Sequence, residues 1–197
     1  MKLPGRSPAP VDWLIVGLGN PGAQYARTPH NVGFLVAEAL IARWGLGKPK
    51  KAFAGLYADG RAMTLPLPAP RVGVLAPQTF MNDSGRAASP ARGALKVELD
   101  HVIAVHDELD LKFGDIRTRM GGGLAGHNGL KSLKAGFGSP DFARVRIGIG
   151  RPDTTDPEIV SSYVLGRWRQ PPAEVTELVD RAADAVERII DGSDTLG

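Results

Sequence analysis

A chain of 197 residues that is 43% hydrophobic but only 6% aromatic fits one domain with an aliphatic, alanine-rich core. It has no cysteine, which excludes disulfides, thiol nucleophiles and thiolate zinc sites and fits a reducing, cytoplasmic setting. The net charge of +3 is uneven: Lys112 to Arg151 carries eight Lys or Arg against two acids, and Asp153 onward four Arg against ten acids, so the first stretch is the candidate face for an anionic partner.

The segment 1–10 has three prolines and no apolar signal-peptide core. It reads as a flexible extension before one domain over 11–197. No run of about 18 apolar residues occurs, so no membrane span is expected. Trp13-Leu14-Ile15-Val16 is a buried strand closed by Gly17. Asn31 reads as the N-cap of a helix with Val32, Leu35, Val36, Ala39 and Leu40 at helical spacing, stopped by Gly45 and Gly47. Between Lys50 and Pro77 the runs Leu56–Ala58, Ala62–Thr64 and Val72–Leu75 read as short strands. Ser84 to Lys96 reads as a weak helix interrupted or opened by Pro90. His101 to His106 is a strand that delivers Asp107 at its carboxyl end. A further strand lies near Asp115 to Met120, and a glycine loop then leads into a helix from Asn128. Arg144 to Ile149 alternates as a strand. Pro171-Pro172 opens an amphipathic helix that buries Val175, Leu178, Val179, Ala182, Val186 and Ile189. Interleaved strands and helices make the class α/β: one three-layer α/β/α domain around a mixed, largely parallel sheet.

Gly17, Gly19 and Gly22 satisfy the glycine spacing of a dinucleotide-binding turn. The context opposes that reading, because Pro21 sits inside the motif and Thr28-Pro29 halts any helix soon after. No cofactor is expected. His30 is a natural general base near neutral pH, and such a base needs a carboxylate to fix its tautomer, for which Asp107 is best placed. Asn20, Asn82 and Asn128 lie in loops beside glycines, where an amide can orient water or donate to an oxyanion. None of the four histidines makes an i,i+4 pair and His101 and His106 fall on opposite strand faces, so no metal is expected. Arg117 and Arg119 share one strand face, as do Arg144 and Arg146. Beside the Gly121–Gly129 loop they form a candidate phosphate grip, with no interleaved aromatics for base stacking.

Taken together, six segments resemble the bacterial peptidyl-tRNA hydrolase family: Gly17-Leu18-Gly19-Asn20-Pro21-Gly22 with Tyr25, Thr28-x-His30-Asn31-x-Gly33, Gln78-Thr79-Phe80-Met81-Asn82-x-Ser84-Gly85, His106-Asp107-Glu108-Leu109-Asp110, Gly126-His127-Asn128-Gly129-Leu130-Lys131 and Arg144-Val145-Arg146-Ile147-Gly148-Ile149-Gly150. The resemblance implies a monomer that hydrolyses the ester joining a peptide to the 3′ end of tRNA, without metal or cofactor. It implies that His30 activates water and Asp107 orients it. Asn20 and Asn82 would position water, the peptide and His30, and Asn128 would help hold substrate or water. Tyr25 and Phe80 would line the channel near the tRNA end. Arg119 and Arg146 would clamp the tRNA 5′ phosphate, assisted by Arg117 and Lys112.

This chain departs from the family pattern at Pro29, where arginine is usual, and at Leu124-Ala125, where Ala125 replaces a common glycine. Its last residues, Asp194 to Gly197, also lack the familiar Asn-Arg-x-His ending. Two other readings stand beside the esterase: a non-catalytic RNA-binding protein using the same basic face, and a nucleotide-dependent oxidoreductase.

Overall fold

A computed structural model describes residues 8–197. Of the expected extension, 1–7 lie outside the described residues, and Pro8, Ala9 and Pro10 are exposed and irregular. The strands are β1 (Trp13–Gly17), β2 (Lys50–Ala52), β3 (Gly55–Arg61), β4 (Arg71–Pro77), β5 (Val102–Glu108), β6 (Ile116–Met120) and β7 (Ala143–Gly148). They form one sheet in the order β2-β3-β4-β1-β5-β7-β6. The central four, β4, β1, β5 and β7, run parallel, and β2, β3 and β6 pair antiparallel with their neighbours.

The helices are α1 (Val32–Arg43), α2 (Gly85–Leu95), α3 (Asn128–Phe137), α4 (Pro157–Leu165) and α5 (Pro172–Ile190). Alternation along the strands divides the core into two layers. Ile15, Ile103, Val105, Val145 and Ile147 pack against α1 and α5. Leu14, Val16, Val102 and Ala104 pack against α2 and α3. The architecture is therefore the expected three-layer α/β/α domain. All six residues expected on the buried face of α5 are buried. No helix of the described residues is long and apolar enough to cross a membrane.

Several elements differ from expectation. Ala62–Thr64 is a turn rather than a strand, because β3 ends at Arg61 and Leu65 N–H returns to the Ala62 carbonyl. Pro90 lies inside an unbroken α2. Its ring removes the bond to the Arg86 carbonyl, and both residues are exposed, so water can take that carbonyl. Asn31 precedes α1 but its side chain does not cap it. Helix α4 is an addition, capped by Asp156, whose Oδ1 accepts the Glu158 N–H at 2.9 Å, with Pro157 at its first position.

Candidate active site

The adjacent carboxyl ends of β1 and β5 form the floor of the site, where ligands collect in open α/β sheets. The glycine motif after β1 serves packing. A Cβ on Gly17 would lie 2.3 Å from the Gly33 carbonyl oxygen, and one on Gly33 would lie 2.4 Å from the Val105 oxygen. The start of α1 therefore sits directly on the two strand ends. Turns continue to Thr28 and α1 begins only at Val32, so no helix N-terminus faces the loop 17–22 as a pyrophosphate would require.

Pro29 opens the 3₁₀ turn Pro29–Asn31 that carries His30 over β5. Its fixed φ suits the first position of such a turn, and it keeps Thr28 extended. His30 Nδ1 lies 2.9 and 3.0 Å from the two carboxylate oxygens of Asp107. Nδ1–H donates to the carboxylate, which leaves Nε2 without a proton and free to act as a base. Burial opposes protonation of His30, but the charge and hydrogen bond of Asp107 outweigh it and raise its pKa above 6.5. Burial likewise opposes the Asp107 charge, yet His30 and His127 outweigh it and hold the carboxyl well below the usual carboxylate range.

His127, counted in the sequence but given no role there, completes the cluster. It is the N-cap of α3: its Nδ1 accepts the Gly129 N–H at 3.1 Å and the Leu130 N–H at 3.4 Å. The proton must then sit on Nε2, which donates to Asp107 Oδ1 at 3.0 Å. His106 meets the His127 ring edge-on at 4.9 Å and donates Nδ1–H to the Asp107 carbonyl at 2.7 Å. Burial, and then the neighbouring His127, lower its pKa to about 3.

Asn31 takes the place of a cap elsewhere. Its Oδ1 accepts the Asn20 N–H and its Nδ2 donates to the Asn20 carbonyl, both at 2.9 Å. Asn20 is thereby fixed, and its own Oδ1 accepts the Met81 N–H at 2.7 Å. Only its Nδ2 donors remain for a ligand. A cleft of about 730 Å³ opens above these groups. It brings together His30, Asp107, Asn20, Phe80, Asn82 and Asn128. Its far wall is α4, through Val160 and Val164. Tyr25 lies outside this lining, in the turn before His30, where its carbonyl accepts the Thr28 N–H and hydroxyl.

Beyond the cleft, the β6–β7 register sets Arg117 opposite Arg146 and Arg119 opposite Arg144, so all four share the α2–α3 side of the sheet. They do not share one role. Arg117 and Arg119 are exposed, as is Lys112 on the preceding loop. Arg146 is partly exposed, and its Nε donates to Glu108 at 3.1 Å. Arg144 is only 1% exposed. Its guanidinium donates to the carbonyls of Gly122, Gly123 and Pro140 and packs over the Phe142 ring. It pins the glycine loop instead of facing a ligand.

His30, Asp107 and His127 place donor atoms within 4.8 Å of one another, a set of the kind that holds zinc. The helix cap argues against that use. With His127 Nδ1 committed to two amides, Nε2 carries the proton and offers no lone pair to an ion.

The chain resembles proteins of one family along nearly its whole length. The family model described as peptidyl-tRNA hydrolase matches residues 14–196. The chain is 44% identical over 178 residues to the peptidyl-tRNA hydrolase of Geobacter sp. (strain M21), covering 90% of each. It is 47% identical over 182 residues to that of Mycobacterium tuberculosis (strain ATCC 25177 / H37Ra), covering 90% of this chain and 91% of the relative. Among solved structures, the crystal structure of peptidyl-tRNA hydrolase from Acinetobacter baumannii superposes with a TM-score of 0.78 at 37% identity, covering 92% of this chain and 90% of that one.

Proposed function

The chain belongs to the peptidyl-tRNA hydrolase family, and from that premise we propose that it hydrolyses peptidyl-tRNA by general-base catalysis, with His30 as the base and Asp107 as its orienting carboxylate. His30 Nε2 takes a proton from water as the water oxygen attacks the carbonyl carbon of the ester at the tRNA 3′ end. The oxyanion of the tetrahedral intermediate accepts from the free Nδ2 group of Asn20. The imidazolium returns its proton to the departing 3′ oxygen. The products are tRNA with a free hydroxyl and a peptide carboxylic acid. An ester is activated relative to an amide, so an oriented water replaces a covalent nucleophile.

Asn82 and Asn128 at the cleft rim position the peptide and water, and Phe80, 59% exposed, offers a face to the terminal nucleotide. The acceptor end then runs from the cleft toward β6 and β7, where Arg119 and Arg146, with Arg117 and Lys112, hold the 5′ phosphate. In this reading the chain acts as a monomer, needs no metal or cofactor, and works in the cytoplasm.

The observation that carries the reading is the double contact of His30 Nδ1 with Asp107 at the foot of the cleft. The test is hydrolysis of N-acetyl-aminoacyl-tRNA by the wild type and by His30→Ala, with free aminoacyl-tRNA as control. Cleavage of the blocked substrate alone, reduced by about 10² to 10⁴ in the variant, is expected. A folded wild type that binds tRNA without cleaving it would sink the reading.

A further inference from the structure

Glu108 follows Asp107 on β5, and alternation places its side chain on the same side as His106 and as Arg146, which stands opposite His106 on β7. It is 4% exposed, and both of its oxygens are engaged. Oε2 accepts Arg146 Nε–H at 3.1 Å and Oε1 accepts the Asp110 N–H at 3.2 Å. Among the described residues it is the acid paired with the arginine face: no carboxylate lies within salt-bridge reach of Arg117, Arg119 or Arg144. Glu108 also lines the cleft, so one residue borders both the cleft and the basic patch.

A guanidinium has two usable edges. Glu108 occupies Nε, and the terminal nitrogens of Arg146 have no hydrogen-bond partner among the described residues. The pair thus freezes a long, flexible side chain while leaving its terminal fork free for a bidentate anion. Resting on the phosphate-clamp reading above, we propose that Glu108 is a specificity-determining positioning residue: it aims Arg146 so that the enzyme prefers substrates ending in a 5′ phosphate monoester.

Charge and positioning make opposite predictions. As a bare negative charge, Glu108 would weaken phosphate binding, and its removal would increase the preference. As a positioner, its removal diminishes the preference. The experiment compares kcat/KM for N-acetyl-aminoacyl-tRNA bearing a 5′ phosphate with that for the same substrate dephosphorylated to a 5′ hydroxyl. Glu108→Ala is expected to lower the wild-type preference by at least about fivefold, while Glu108→Gln, which keeps an acceptor for Nε, stays within about twofold of wild type. Should the alanine variant fail to fold, Glu108→Asp carries the same expectation, because it keeps the charge but withdraws the oxygens by one methylene. An unchanged or increased preference in Glu108→Ala or Glu108→Asp overturns the proposal. A wild type with no preference overturns the clamp reading itself, and this assignment with it.

Discussion

His127 and Asp107 are joined by a 3.0 Å hydrogen bond whose direction is set by a helix end. Because the α3 amides donate to Nδ1, Nε2 must donate to the carboxylate. Asp107 therefore receives N–H groups from both His30 and His127, and its orientation is held from two sides. The backbone of α3 is thereby linked to His30 through the His127 imidazole and the Asp107 carboxylate.

Substitution of His127 should separate its role as a helix cap from its contact with Asp107. Asparagine is a good N-cap, so His127→Asn should keep the cap yet lose the charge-assisted bond to the buried carboxylate, reducing kcat about tenfold and stability by about 1.5–3 kcal/mol. His127→Ala should lose both, with a further cost of about 1 kcal/mol, or roughly 2–4 °C in Tm. Melting curves and single-turnover rates check this. Full activity in the asparagine variant would remove His127 from the catalytic arrangement.

The pH dependence follows from the raised His30 pKa. In the proposed role His30 works only when neutral, so kcat/KM should rise with pH through a midpoint above 6.5. The stability contributed by the His30–Asp107 pair runs the other way. For His30 it is fully present below the unfolded pKa of about 6.5 and is lost as pH climbs through the raised folded value. For Asp107, whose folded pKa is depressed, it is present above the unfolded value of about 3.9 and lost on acidification. Asp107→Asn should cut kcat by about 10² to 10⁴ and move the rate midpoint downward, since burial then acts on His30 alone. An unmoved midpoint would show that His30 is not the titrating group.

Much of the fold was legible because short apolar runs end abruptly. Trp13 to Val16 stops at Gly17, and the run before Asp107 is buried on both sides of the sheet, as continuous apolar character implies. The α5 stripe was equally plain. Helix α4 was not, although Asp156-Pro157 is a start signal: only Val164 is buried, and Val160 faces the cleft, so its apolar stripe is weak. Alternation correctly put Arg144 and Arg146 on one side of a strand. Whether that side is covered depends on the Gly122–Gly123 and Pro140 carbonyls, which come from outside the strand. His30 and Asp107, 77 residues apart, could be paired by the strand-end rule and the family resemblance. The role of His127 needed the direction of α3, which no local pattern supplies.

Ala125 holds a backbone conformation with a physical cost. Its φ of 47° is left-handed, where a Cβ costs about 1–2 kcal/mol and glycine is free. The extra entropy of glycine in the unfolded chain offsets about 0.4–1 kcal/mol of that. Ala125→Gly should therefore stabilise the protein by roughly 0.5–1 kcal/mol and raise Tm by about 1–4 °C. Thermal unfolding measures it, and a lower Tm would mean that the alanine contributes packing along the cleft.

The arginines should separate by salt dependence. Phosphate contacts release counterions, so log KM should rise linearly with log salt for the wild type. Arg119→Gln and Arg146→Gln should each raise KM more than they lower kcat and reduce that slope by about 1. Arg144→Gln should leave the slope unchanged, because its guanidinium is spent on loop carbonyls. Losing those charge-assisted bonds should instead cost about 1.5–3 kcal/mol of stability, several degrees in Tm. The two assays assign opposite signatures to residues that face each other across β6 and β7. A flat salt response in the wild type would remove the phosphate clamp, and a reduced slope in the Arg144 variant would return Arg144 to the binding surface.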